Sequence, residues 1–252
     1  DVAMANGECC GGKNKSANGA ASGAVNGGAT EAESGCCGGS SGGGCGCKSG
    51  AQKLLIPTGT AKDIAALPIG EMLGRYRRGV ANFDPRVFSL TAEQMDQAFL
   101  PDADVGRWSV RMLLGHVADA ELVFVHRMRR AIAEDKPMLA VWDENAFIDS
   151  NLYAIPREVQ QGDPASLIGG FVAVVHTMRM WSFQWLAGLE PEQYDRVALH
   201  PERGEQSVRT ILSYAIWHVE HHGRFLQKKL DRMLGPVQEP VSAAAGGCGC
   251  GS

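Results

Sequence analysis

Two of the histidines in the stretch WHVEHHGRFL, residues 217–226, are spaced for joint chemistry. His218 and His222 lie four residues apart, so on a helix both imidazoles point to the same side. They continue a stripe that begins with Ile211 and Ala215 and that would otherwise form the buried face of the helix. The stretch therefore places two potential metal ligands where a core would normally have aliphatic side chains.

A third histidine has the same relation to an earlier helical segment. His116 shares a face with Phe124, and imidazoles from two facing helices of a bundle can bind one divalent ion and leave a coordination position open. Buried histidines held only by hydrogen bonds are the alternative, and the spacing alone leaves both interpretations open. The pattern is not the HExxH motif of zinc proteases, because Val219 stands where that motif has its glutamate.

Polar residues near these histidines are candidates for supporting roles. Asp119 lies one turn after His116 and could orient an imidazole or a water molecule, with a surface or capping role as the alternative. Glu220 and His221 point about 100° to either side of the ligand face. We expect these two residues to support the site or to face solvent. An exposed loop position is the preferred interpretation for His200, with a place at the mouth of the site as the alternative. Other expectations are a rim position for Trp142, Asp143 and Glu144, and a structural role for His126 and His176.

Helical periodicity and capping residues predict the elements that carry these side chains. The predicted helices start at Pro68, at Thr91 with a Thr-x-x-Gln capping box, at Ser109, at Asp163-Pro164 and at Ser207. The three long helices after the first would end near Pro137, Gly188 and Gly235. No segment has a convincing strand pattern. We therefore predict an all-α domain over residues 53–236, built as a four-helix bundle.

Composition limits the classes of function. The 252 residues carry a net charge of −4, so a basic surface for nucleic acid is not expected. No apolar run approaches the roughly 20 residues of a membrane-spanning helix, and the first residues lack the pattern of a secretory signal. A removed signal remains possible, since residue 1 is Asp. We expect a cytoplasmic protein that acts on a small molecule, and a homodimer is one possible assembly.

All eight cysteines lie outside the predicted bundle. Residues 1–52 and 237–252 are rich in Gly, Ala, Ser and Cys and hold almost no large apolar side chains, which predicts disordered tails. Their CC and CGC spacings resemble thiolate clusters for soft metal ions, and a reduced, flexible tail without metal is the preferred alternative. The possible tail thiolates are Cys9, Cys10, Cys36, Cys37, Cys45, Cys47, Cys248 and Cys250.

Three segments together resemble a known family. GRWSVRMLLGHVADAELVFVHRMR, WDENAF and HPERGEQSVRTILSYAIWHVEHHGRFL are similar to the DinB/YfiT-like superfamily of bacterial four-helix proteins, in register with the predicted helices. The resemblance implies that His116, His218 and His222 hold a divalent metal such as Zn, Ni or Fe. Many members have a further histidine where this chain has Phe225, so the pocket is expected to be less polar here.

The resemblance also implies a choice of activities. Members of the superfamily include S-transferases and an isomerase that use mycothiol, bacillithiol or glutathione, and others are described as metal-dependent hydrolases. The favoured expectation is transfer of a low-molecular-weight thiol to an electrophile, with the thiol activated at the open metal position. The alternatives are hydrolysis of a small molecule, a metal-handling protein that uses the cysteine-rich tails, and a binding module without turnover.

Overall fold

The computed structural model describes residues 54–100, 104–154, 163 and 165–237. The predicted tails, apart from Val237, and all eight cysteines lie outside these residues. Within the described part the chain forms seven α-helices and one two-stranded sheet. In chain order they are α1 (Ala61–Ala65), α2 (Ile69–Arg78), α3 (Ala92–Asp96), α4 (Val110–Ala133), α5 (Glu144–Asp149), α6 (Ser166–Leu186), β1 (Val197–His200), β2 (Gly204–Ser207) and α7 (Val208–Leu234).

Three predicted helix starts are confirmed by their capping hydrogen bonds. The hydroxyl of Ser109 accepts a bond from the backbone of Met112, and that of Ser207 accepts one from Thr210. Thr91 and Gln94 form the predicted capping box at α3. Each cap satisfies an N–H group that has no partner within its own helix.

Other predicted boundaries are wrong by a few residues. α4 ends at Ala133 rather than near Pro137, because Glu134 has extended backbone angles. Pro68 precedes α2 as its N-cap instead of being the first helical residue. α6 begins at Ser166, just after the predicted Asp163-Pro164 start. The end of α7 is as expected, since Gly235 follows with a φ of 83°, a conformation that favours glycine.

The expectation that no strand would be present is wrong. β1 and β2 form an antiparallel hairpin in which Val197 pairs with Ser207 and His200 with Gly204. A third segment joins the hairpin, because the backbone of Leu199 bonds to both Leu139 and Pro137 at 2.8–2.9 Å. β2 reads GEQS, which has no apolar alternation, so its pairing comes from tertiary context rather than from a strand pattern.

The long helices form the predicted bundle around two adjoining apolar clusters. α4 packs against both α6 and α7, and α2 packs against the same two helices. On α4 the change from one cluster to the other falls between Ala118 and Ala120, and on α7 it falls between Ile216 and Val219. The predicted ligands lie at or next to these changes. Among the described helices none is both long and apolar enough to span a membrane.

A buried polar network connects the four long helices. Arg179 on α6 is 1% exposed and donates to Glu121 on α4 at 2.8 Å, to the backbone of Ala215 on α7 and to the backbone of Tyr76 on α2. The Tyr76 hydroxyl also donates to Glu121, at 2.7 Å. The guanidinium therefore fixes the four helices at one level of the bundle.

Candidate metal centre

The structure brings together the three histidines that the sequence selected. His116 comes from α4, and His218 and His222 come from successive turns of α7. One ring nitrogen of each lies within 4.8 Å of the others, and the side chains are at most 1% exposed. The Nε2 atoms of His116 and His218 are 3.0 Å apart. A set of donors separated by about a hundred residues in the chain is thus assembled by the packing of two helices.

The donor set fits a divalent metal ion. Two imidazole nitrogens bound to a tetrahedral ion at about 2.1 Å would lie about 3.4 Å apart, close to the separation of His116 and His218. The Nε2 atom of His222 is buried and has no hydrogen-bond partner. An unpaired polar atom in a protein interior is unfavourable unless a partner completes it. Three neutral nitrogen donors also suit Zn, Ni and Fe better than Mg or Ca.

The surroundings keep all three imidazoles neutral. Burial, and to a smaller extent the nearby His221, lower the pKa of His116 to about 3. Burial lowers the pKa values of His218 and His222 well below the usual value, and the neighbouring histidines add to the effect. A metal ligand must be unprotonated. At neutral pH the side chains are therefore already in the state that binds a metal ion.

Two tryptophans cover the histidines. The Trp142 ring stacks on His116 with an interplanar angle of 18° and centroids 5.3 Å apart. The Trp108 ring lies 4.8 Å from His116 and 6.0 Å from His222. Trp108 directly precedes the N-cap of α4, and Trp142 directly precedes the N-cap of α5. The two helix starts thus place indole rings over the centre and exclude water from it.

Asp119 is held by a tyrosine that the sequence did not single out. The hydroxyl of Tyr153 donates to Asp119 at 2.7 Å. Burial raises the pKa of Asp119 above its usual value, and the hydrogen bond from Tyr153 opposes that shift. A β-carbon at Gly115 would lie 2.4 Å from the Tyr153 ring, so the glycine before His116 makes the room that this contact needs.

The other two supporting candidates have different surroundings. Glu220 is buried and its carboxylate forms a two-bond ion pair with Arg75 of α2, at 2.6 and 3.0 Å. This ion pair connects α7 to α2. The His221 ring stacks on Trp217 at 4.6 Å and meets His222 edge-on at 5.1 Å, and burial lowers its pKa to about 4. His221 is therefore the candidate that contacts the histidine cluster.

Several expectations about individual positions are corrected. His200 is buried at the end of β1 instead of exposed in a loop, and its Nδ1 accepts the backbone N–H of Glu202. Glu144 is 2% exposed, with a pKa raised mainly by burial, so it does not lie on an open rim. His126 and His176, expected to be structural, are exposed. The Phe225 ring contacts His221, with centroids 4.9 Å apart.

A family model gives an independent comparison. The model described as DinB superfamily matches residues 75–226, which include all three histidines. The chain belongs to the DinB superfamily. This membership agrees with the resemblance that the three sequence segments carry.

Curated relatives and a solved structure agree with this assignment. A proposed metal-dependent hydrolase of Oceanobacillus iheyensis is 26% identical over 136 residues, which cover 54% of this chain and 70% of the relative. A protein of Bacillus pumilus with the same description is 28% identical over 134 residues, covering 53% and 68%. YfiT from Bacillus subtilis, titled a probable metal-dependent hydrolase with an unusual four-helix bundle topology, aligns with a TM-score of 0.54 and 22% identity, covering 66% of this chain and 87% of YfiT. The structural likeness establishes the fold of this DinB protein.

Proposed function

We propose that this DinB protein is a metal-dependent hydrolase of a small molecule. The observation that carries the proposal is the cluster of three buried, neutral imidazoles, His116, His218 and His222, which converge from two helices. The relatives described as metal-dependent hydrolases support the same choice of reaction.

The three histidines would hold the ion, and the rest of the site would shape its surroundings. A divalent ion supplies Lewis-acid chemistry: it polarises a carbonyl or phosphoryl oxygen and makes water a stronger nucleophile at neutral pH. Trp108 and Trp142 exclude bulk water, which strengthens electrostatic interactions at the centre. The Tyr153 hydroxyl donates its proton in a hydrogen bond to Asp119, which lies one helical turn after His116.

Transfer of a low-molecular-weight thiol is the second candidate function. The observation that favours it is the distribution of cysteine, since the described residues contain none and the site offers no thiol nucleophile of its own. A thiol from solution would then be the nucleophile. The same three histidines would hold the metal ion in both reactions. The two candidates therefore differ only in the nucleophile, which is water in hydrolysis and a thiol in transfer.

Parallel assays with the full chain test the proposal. The protein would be loaded with Zn²⁺, Ni²⁺ or Fe²⁺ and given a panel of aryl esters, amides and phosphoesters. The same samples would be given a chlorinated aromatic electrophile with mycothiol, bacillithiol or glutathione. We expect hydrolysis that a chelator abolishes and that the metal restores. The variant with His116, His218 and His222 changed to alanine should lack it.

The alternative outcomes separate the candidates. Thiol conjugation without hydrolysis would replace the proposal with the transferase. Turnover that survives in the triple alanine variant would contradict both. A variant lacking residues 1–53 and 238–252 serves as a control, because these segments contain all eight cysteines. Activity lost with those segments alone would place the chemistry on their thiols, whereas loss of bound soft metal ions with those segments would support a metal-handling role.

A further inference from the structure

Trp108 lies between the histidine cluster and a cavity of about 500 Å³. Its ring contacts His116 and His222, and the residue also belongs to the cavity wall. The wall includes the exposed residues Arg107 and Asp149, so the cavity opens to solvent. Because the cavity leaves free volume beside the indole, contact with the imidazoles does not by itself fix the position of the ring.

A buried lysine on the ligand helix holds the backbone that leads into Trp108. Lys229 is 1% exposed, and its Nζ donates to the carbonyl oxygens of Val105 at 2.5 Å and of Gly106 at 3.2 Å. Val105 and Gly106 are buried, so their carbonyl groups need donors from within the protein. The ammonium therefore fixes the backbone just before the tryptophan.

The same ammonium contacts a second part of this segment. The Nζ atom lies 4.3 Å from the centroid of the Phe99 ring, which is a distance typical of a cation–π contact. The backbone N–H of Phe99 donates to the carbonyl of Arg107 at 3.3 Å, and Arg107 directly precedes Trp108. Lys229 thus contacts both of the chain segments that meet next to Trp108.

Helix α7 therefore carries a candidate ligand and also the residue that holds the ring over it. His222 and Lys229 are separated by about 10 Å along the helix axis, which corresponds to two turns. Contacts run from Lys229 to the backbone of residues 105 and 106, along the chain to Trp108, and from its ring back to His222. Because both ends of this path lie on one helix, the lysine sets where the ring lies relative to the ligand.

We propose that Lys229 is a positioning residue of the DinB centre. It holds Trp108 over the histidines and thereby restricts the access of small molecules from the cavity to the metal ion. The proposal rests on the metal centre proposed above, and it is independent of whether the nucleophile is water or a thiol.

Fluorine NMR of the full chain labelled with fluorotryptophan tests the position of the ring. Trp108→Phe and Trp142→Phe assign the two resonances that are compared. In Lys229→Met the two carbonyl groups lose this donor, so we expect the Trp108 resonance to shift or broaden and to become sensitive to D₂O. The Trp142 resonance should stay unchanged and is an internal reference, because Trp142 covers His116 from a different helix start.

Two further variants separate positioning from general loosening of the fold. Arg224→Met is the matched control, because Arg224 on α7 also donates to a backbone carbonyl, that of Pro57, but the segment it holds carries no covering ring. Phe99→Leu is milder than Lys229→Met and should change the Trp108 resonance in the same direction, to a smaller extent. An unchanged Trp108 resonance in folded Lys229→Met, or an equal change in Arg224→Met, would overturn the proposal. If Lys229→Met does not fold, an unchanged resonance in Phe99→Leu has the same meaning.

Azide binding to the Co²⁺-loaded protein tests access to the ion. The rate of association is followed through the visible absorption of Co²⁺. We expect azide to associate at least tenfold faster in Lys229→Met than in the wild type, and Trp108→Ala to give a similar increase. The double variant should be no faster than Trp108→Ala alone, because the lysine acts through the ring.

The outcomes separate this proposal from the proposed hydrolase. Association of azide that is no faster in Lys229→Met, or increases that add in the double variant, would overturn the restriction of access through Trp108. The fluorine experiment needs neither metal nor turnover, so a displaced Trp108 ring in Lys229→Met supports the positioning role even in a protein without hydrolase activity. Hydrolysis by a protein whose Trp108 ring is unaffected in Lys229→Met would keep the hydrolase and remove the positioning role.

Discussion

The protonation state of three side chains controls what the centre can bind. His116, His218 and His222 lie in an interior that disfavours the imidazolium form, so their pKa values are lowered. A neutral imidazole offers a nitrogen lone pair to a metal ion, whereas a protonated one cannot. Burial therefore prepares the ligands and also makes the fold sensitive to acid.

Removing one imidazole should remove the ion. We expect His218→Ala to lower affinity for Zn²⁺ by more than the 10–100-fold that loss of a supporting residue typically causes. Competition dialysis against a chelator would measure the change. His176→Ala is the matched control, since His176 is an exposed histidine on α6. Metal content that is equal in the two variants would contradict the assignment of ligands.

Stability of the metal-free protein should fall as the pH falls. Because the pKa of His116 is about 3 in the folded state and 6.5 is its usual value, the unfolded chain binds more protons between these limits. His116 alone should then cost about 2 kcal/mol of unfolding free energy between pH 7.5 and pH 5. Urea unfolding with a chelator present would measure this loss. The loss should be smaller in His116→Asn and unchanged in His126→Asn, where the exposed His126 is replaced.

At the scale of helices and loops, close contacts at glycine position the site. Gly223 follows His222 on α7, and a β-carbon there would lie 2.6 Å from the backbone oxygen of Asn82. The short 3-10 helix after α2, Gly79–Asn82, therefore packs directly on the backbone of the ligand helix. The contact fixes the depth at which α7 lies in the bundle.

Alanine substitutions should distinguish the glycine that is packed from one that is not. We expect Gly223→Ala to lower the unfolding free energy by about 1–3 kcal/mol, the range for overpacking. Gly170→Ala on α6 should raise it by about 0.5–1 kcal/mol, because nothing lies within 4 Å and alanine favours a helix. Thermal or urea unfolding gives both values. A stabilising effect at Gly223 would mean that Asn82 moves away without cost.

Sequence predicts the elements with local signals and misses those that depend on tertiary contacts. The sequence predicts Ser109 and Ser207 as caps because a cap bonds within three residues of itself. It does not predict β2, because Gly204–Ser207 have no apolar alternation and their pairing with β1 is a tertiary contact. The same division holds in the site. The i, i+4 spacing selects two of the histidines, whereas Tyr153 reaches Asp119 from 34 residues away.

Across the whole molecule, one buried charge pair connects the bundle. Glu121 and Arg179 are each 1% exposed, and the backbones of Tyr76 and Ala215 complete the bonds of the guanidinium. An interior ion pair contributes little net stability by itself, but removing one partner leaves the other charge unpaired. The four long helices therefore depend jointly on both charges.

Removing one charge of this pair should lower the free energy of unfolding more than removing both charges. We expect Glu121→Gln to destabilise the protein by about 3–5 kcal/mol, the usual result of leaving a buried charge alone. The double variant Glu121→Gln with Arg179→Met should recover part of the loss. Chemical denaturation of the wild type, the two single variants and the double variant gives the coupling energy between Glu121 and Arg179. Additive losses in the two single variants would show that the pair does not act as a unit.

The tryptophan cover has a consequence for which metal ion the centre would hold. Because the ligands have almost no exposed surface, an ion can leave only when Trp108 or Trp142 swings aside or the helices part. Release should be slow, so the bound ion would reflect the ions present while the chain folds rather than their ranking by affinity.

Zn²⁺-loaded protein challenged with isotopically labelled Zn²⁺ should exchange its ion over hours, and faster in sub-denaturing urea or in Trp142→Ala. Exchange within seconds in the native protein would mean that the centre equilibrates freely. If exchange is slow, each molecule would keep the metal ion that was available when the chain was synthesised.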